Sequence, residues 1–159
     1  MTAEILVILD VQEPYLDDLT KKDRERVIDE VSRQIIATRE EDGGIIITEF
    51  NVKEQGETYQ AVLDLVENYD KVLQFERSSL NGADEVLAVI HQQRFPEGPI
   101  RLCGLYGDGA VKSTAKGILY LTNFQTKVKI VEAACGCVNH LYSDMDCLRW
   151  MDGVNVEII

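Results

Sequence analysis

Short, continuously apolar runs alternate along the chain with longer stretches in which apolar residues recur every three or four positions. The runs predict strands at Glu4–Leu9, Ile45–Thr48, Lys71–Phe75, Ile100–Cys103, Lys127–Val131 and Val154–Ile158. Ile5-Leu-Val-Ile-Leu9 and Ile45-Ile-Ile47 carry no polar alternation, the pattern of strands buried on both faces of a parallel sheet. Between the runs lie helical patterns. Thr20 with Asp23 reads as a helix start, and Val27, Val31 and Ile35 follow at a spacing of four. Glu57–Glu67 places Val62, Leu63 and Val66 on one face, and Asn81 with Asp84 can cap a helix containing Val86, Leu87 and Ile90. Further helices are predicted over Ala110–Leu121 and Cys137–Met151, the latter with Leu141, Met145 and Leu148 inward and Gly153 closing it.

This β-α-β-α order implies an α/β fold: a three-layer, Rossmann-like open parallel sheet of about six strands with helices on both faces. The connections should be right-handed. Ligands in such folds bind beyond the C-terminal ends of the strands, where strand order reverses. Asp10, closing the first strand, and the segment from Gly104 to Ala110, following the fourth, map to that edge.

Length adds that 1–159 is one domain: no repeat, low-complexity segment or linker interrupts the 159 residues. A net charge of −12 disfavours nucleic acid and anionic lipid surfaces as partners. No apolar run has the length of a membrane span, and the Glu4–Asp10 opening lacks the basic start of a signal peptide. Cytoplasmic residence is therefore the expectation. Cys103, Cys135, Cys137 and Cys147 read as reduced, mostly buried thiols; Cys135-Gly-Cys137 is not a CxxC, and His91 and His140 are far apart, so neither a structural metal nor a cofactor is expected.

Two features carry candidate chemistry. Asp10 ends a buried strand, where a carboxylate acts as a base, holds a cation, or simply caps the turn. Gly104-Leu-Tyr-Gly-Asp-Gly109 leads into a helix whose first position is Ala110. Free N–H groups at such a start suit an oxyanion or a carboxylate, and the glycines let a backbone come close. Tyr106, Gly107, Asp108, Gly109 and Ala110 are thus candidate ligand-binding residues, with Asp108 more readily a simple helix cap than a catalyst.

These segments resemble those of the isochorismatase-like cysteine hydrolases, which include nicotinamidases and N-carbamoylsarcosine amidases. Leu6-Val-Ile-Leu-Asp10-Val-Gln is similar to that family's opening strand, and Gly104-Leu-Tyr-Gly-Asp-Gly-Ala-Val-Lys-Ser-Thr-Ala115 to its G-x-x-T-D-x-C-V-x-x-T-A. Val131-Glu-Ala-Ala-Cys-Gly-Cys137 resembles V-x-D-A-C-A-S, with Ala133 at the usual Asp, and the likeness runs on through His140, Leu148 and Met151-Asp-Gly-Val154. The resemblance implies a triad of Asp, Lys and Cys in which the thiolate attacks a carbonyl carbon. Asp10 matches the aspartate. The Lys position, four before Ser78, falls on Gln74, the Cys position on Ala110 and the motif Thr on Gly107. Lys71 and Arg77 flank the Lys position, and Cys103 lies in a predicted strand.

The resemblance further implies a cradle formed by the N–H groups of Tyr106 and Ala110, and a cis bond at Leu105–Tyr106. The metal-binding D-x-H…H cluster of nicotinamidases has no histidine counterpart in Thr48–Glu57, and the shortness of that region implies a more open site. Three readings follow. The chain is a pseudoenzyme, a family relative without cysteine-hydrolase activity that binds a small molecule or a protein. It is a diverged hydrolase acting on an amide or related C–N or C–O bond through Asp10 and a non-cysteine nucleophile. Or it has an assembly role, as a homo-oligomer. The sequence ranks the non-catalytic readings first.

Overall fold

A computed structural model describes residues 3–137 and 155–159, apart from the side chains of Gly107 and Asp108. The predicted helix over Cys137–Met151, with its closing Gly153, and the residues His140, Cys147 and Val154 lie outside the described residues, Cys137 excepted. Six strands form one sheet in the order β3-β2-β1-β4-β5-β6. They are β1 (Ile5–Leu9), β2 (Gly44–Phe50), β3 (Val72–Arg77), β4 (Ile100–Leu105), β5 (Val128–Gly136) and β6 (Val156–Ile158). All pairings are parallel. The chain fills one half of the sheet outward from β1, then returns to build the other half from β4. Strand order therefore reverses between β1 and β4, which places a ligand crevice at their C-terminal ends.

The central strands β1, β2 and β4 are buried along nearly their whole length; the apolar run is unbroken in β1, while β2 carries Thr48 and Glu49 and β4 carries Arg101. Among the described residues the α-helices are α1 (Glu13–Asp17), α2 (Lys21–Glu40), α3 (Val52–Gln55), α4 (Gln60–Val66), α5 (Ala83–Gln93) and α6 (Lys112–Leu121). Helix α2 starts at Thr20, whose hydroxyl accepts the N–H of Asp23 at 3.2 Å. It buries Val27, Val31 and Ile35 on one face of the sheet. Helices α5 and α6 pack against each other. The two short helices α1 and α3 were not predicted: four or five residues carry too little periodicity to register. No helix among the described residues is long and apolar enough to cross a membrane.

The β4–β5 pairing is irregular. Leu102 pairs with Ile130, yet Gly104 pairs with Cys135, so β5 bulges in between. Arg26 on α2 binds the exposed carbonyls, donating to the oxygens of Ala133 at 2.6 Å and Cys135 at 3.1 Å. Gly104 is needed here for a different reason. Its φ is 128°, and a Cβ at that position would run into the backbone oxygen of Leu9. The two strands flanking the switch thus approach more closely than any side chain allows.

Candidate functional site

The crevice is built where β1 and β4 end. Strict alternation along β1 would send Asp10 to the α2 side, with Leu6 and Ile8, because Leu6 pairs with Arg101, whose guanidinium meets Gln34 and Thr38 on α2. Asp10 instead takes a left-handed backbone, φ 56°, while its N–H donates to the carbonyl of Thr48 at 3.0 Å. Tyr106, just past β4, does the same with φ 55°. Both strands break alternation at the switch point and so re-aim the residues that follow.

The carboxylate of Asp10 forms an ion pair with Nη2 of Arg77, the last residue of β3. Asp10 is 1 % exposed and Arg77 2 % exposed. Nη1 of Arg77 donates to the carbonyls of Leu80 at 2.6 Å and Ser79 at 3.1 Å, and the guanidinium carbon lies 5.6 Å from the Phe50 ring centre. Burial pushes the Asp10 carboxyl above the usual carboxylate range; Arg77 opposes that shift, and Glu49 reinforces it.

The cation at Asp10 does not come from the Lys position. Gln74 and Arg77 lie on opposite faces of β3. Gln74 pairs with Ile47 and sends its amide to Glu49 at 2.6 Å, on the α2 side. Glu49 also accepts the N–H and hydroxyl of Thr58 at 2.7 and 2.8 Å. The cation that meets Asp10 is therefore an arginine three residues downstream of Gln74. Counting back from Ser78 missed it. The available signal was the position of Arg77 at the C-terminal end of a strand bordering the switch, where ligand-facing groups gather.

Ala110 is fully buried and sits within one turn of π-helix, Gly107–Val111, that opens α6. The carbonyl of Tyr106 accepts the N–H groups of Gly109 at 2.8 Å and Val111 at 3.3 Å. The Leu105–Tyr106 bond is trans, against the expected cis geometry; the left-handed turn at Tyr106 reverses the chain there instead. The Tyr106 ring meets Tyr15 edge to face at 5.1 Å, and its hydroxyl reaches Asp18 at 3.4 Å. Partial burial, with Asp18 beside it, pushes the Tyr106 phenol up to about 12. Leu80 would come within 3.9 Å of a Cβ placed on Gly109, so the turn after β3 reaches the glycine turn after β4.

A more open site was expected from the short Thr48–Glu57 region. Gln12 pins that region by accepting the N–H of Phe50 at 2.9 Å and donating to the carbonyls of Phe50 at 3.1 Å and Gly56 at 2.6 Å. The described cysteines are elsewhere. Cys103 pairs with Ile8 in mid-sheet and faces α2, and burial pushes its thiol up to about 12. Cys135 is fully buried and its thiol is likewise raised, by burial first and by Cys103 second. Cys137 is also buried. Among the described residues no cluster of His, Cys, Asp or Glu could hold a metal ion.

No family model matches the chain, and no curated protein matches it in sequence. Solved structures do match in shape. The MAR1 ribonuclease of Caenorhabditis elegans superposes with a TM-score of 0.81 at 17 % identity, over 98 % of this chain and 76 % of that one. A nicotinamidase of Staphylococcus aureus gives 0.73 at 13 % identity, over 100 % of both chains. A pyrazinamidase/nicotinamidase of Streptococcus mutans gives 0.76 at 13 % identity, over 98 % and 99 %. What these proteins share with the chain is the fold.

Proposed function

We propose that this chain, which has the fold of the nicotinamidases, works without their thiol chemistry, as a non-catalytic protein that binds a small molecule or a partner at the crevice beyond β1 and β4. The observation that carries the reading is Ala110, a buried methyl group at the first turn of the helix where the resemblance calls for a sulfur. Two others support it. The described thiols are buried, and burial raises the two beside the β4–β5 bulge, Cys103 and Cys135, which favours the unreactive protonated form. Asp10 is neutralised by Arg77 and shielded from water, so it has no free charge with which to activate a nucleophile. The ribonuclease named for the worm structure is not carried over, because a net charge of −12 repels a phosphate backbone.

The test is ammonia release from nicotinamide and pyrazinamide by the purified chain, with and without prior iodoacetamide. No release above the protein-free blank is expected. Release abolished by iodoacetamide overturns the reading. Release that resists iodoacetamide but disappears in D10A selects the diverged hydrolase acting through Asp10.

A further inference from the structure

The Asp10–Arg77 pair needs its cation delivered from a turn, and the turn needs an anchor. Arg77 must run past the first residues of α5 to reach Asp10. A Cβ on Gly82 would lie 2.5 Å from Cδ of Arg77, so only glycine leaves room for the side chain. The same turn supplies the carbonyls of Ser79 and Leu80 that hold Nη1. Where this turn sits therefore decides where the guanidinium sits.

The N–H of Gly82 donates to the hydroxyl of Thr114 at 3.1 Å, in a buried contact. Thr114 is fully buried on α6, four residues after Ala110 and so on the same side of the helix. One turn on, Gly117 lets α6 close on the same segment: a Cβ there would meet the Cβ of Ala83 at 2.5 Å and Oδ1 of Asn81 at 2.6 Å. Asn81 in turn accepts the N–H of Ala83 at 3.0 Å.

We infer that Thr114 is a positioning residue for the Asp10–Arg77 pair, acting through Gly82 to fix the turn that carries the arginine against the helix that carries Ala110. The inference rests on the crevice being the functional site. It assigns that site's geometry to a hydroxyl which touches neither charged group. A buried N–H left without its acceptor would pull the turn out of place to find another, and the guanidinium would move with it.

The readout is the Asp10 carboxyl, followed by carbon-13 NMR against pH in the full chain and in T114V, T114S and T114A. The groups that bear on it are Arg77, which holds the proton off, Glu49, which holds it on, and the phenols of Tyr15 and Tyr106, each pushed up first by burial and also by Asp10. T114V should raise the proton affinity of Asp10 by about tenfold, because the arginine has moved away. T114S should return it to the parent value, and T114A, which also removes the acceptor of the Gly82 N–H, should reproduce the T114V shift. Urea unfolding of each variant separates this effect from a loss of stability. An unchanged Asp10 titration in T114V, or in T114A where T114V fails to fold, overturns the inference, as does a serine that fails to restore it. Thiol-dependent ammonia release would sink the proposed function while leaving this titration unaffected.

Discussion

Two arginines hold the two ends of the sheet, and they do it differently. Arg101, near the start of β4, spreads its contacts over several groups: Nη1 donates to Gln34 at 2.8 Å and Nη2 to Glu41 at 3.2 Å and Thr38 at 3.3 Å, while Nε lies 2.8 Å from a Glu4 carboxylate oxygen as an ion pair. Lys129 joins through Glu4. Water reaches this cluster, since the Glu41 side chain is 52 % exposed. Arg77, at the far end, meets a single carboxylate and two carbonyls, with both charged side chains closed off from solvent. A shared, wet network tolerates the loss of a member, because water and the remaining partners take over. A sealed pair does not, because removing one partner strands a charge. The first arrangement suits cement between strands and α2. The second is a costly arrangement to keep at the C-terminal edge, and cost at a switch point is a mark of a site.

The cavities sharpen the contrast. A cavity of 560 Å³ opens at the N-terminal end of the sheet, among Ile5, Leu87, Ile90, Ile100 and Lys127. It holds no strained backbone and no buried charge, so it lacks the features that single out the other end.

The largest expected effect breaks the comparison directly. R77A should cost about 3–5 kcal/mol of unfolding free energy, since Asp10 is left buried and alone. R101A should cost less, about 1–3 kcal/mol, because Glu4 keeps Lys129 and Glu41 turns to water. Equal losses in urea unfolding would remove the distinction.

A smaller effect concerns pH. The ordinary thiol value is 9.0, and folding raises Cys103 to about 12. Between those values the unfolded chain gives up the proton and the folded chain does not. The stability linked to this thiol is thus complete below pH 9 and is lost as pH climbs toward 12. The advantage of the parent chain over C103A should narrow across that window. Parallel stability curves for the two proteins would show that Cys103 is not sealed under α2.

The smallest effect is Q74A. Its side chain is exposed and bonded to Glu49, so the loss should be about 0.5–1.5 kcal/mol, with the Asp10 titration unmoved. A shift at Asp10 would mean that Gln74 belongs to the crevice after all.

The strands were legible from the chain because burial on both faces forces runs of apolar residues: β1 is apolar throughout, and β2 carries Ile45-Ile-Ile47. The start of α2 was legible because a cap is a local hydrogen bond between Thr20 and Asp23. Asp10 and the glycine turn were legible for a related reason: each interrupts a regular pattern at a strand's end. Arg77 was visible only as a flanking residue, since its role depends on which face of β3 it occupies and on a partner 67 positions away. The bulge in β5, and the arginine on α2 that serves its carbonyls, left no mark on the periodicity.

By itself, then, the sequence determined the parallel α/β sheet, the edge at which a ligand would sit and the absence of sulfur at position 110, because hydrophobic period, chain order and residue identity are properties of a linear string. Only the tertiary structure decided which cation neutralises Asp10, that the pair is closed to water and that Thr114 stands behind it. Register, strand face and close backbone approach exist only once distant segments are packed together.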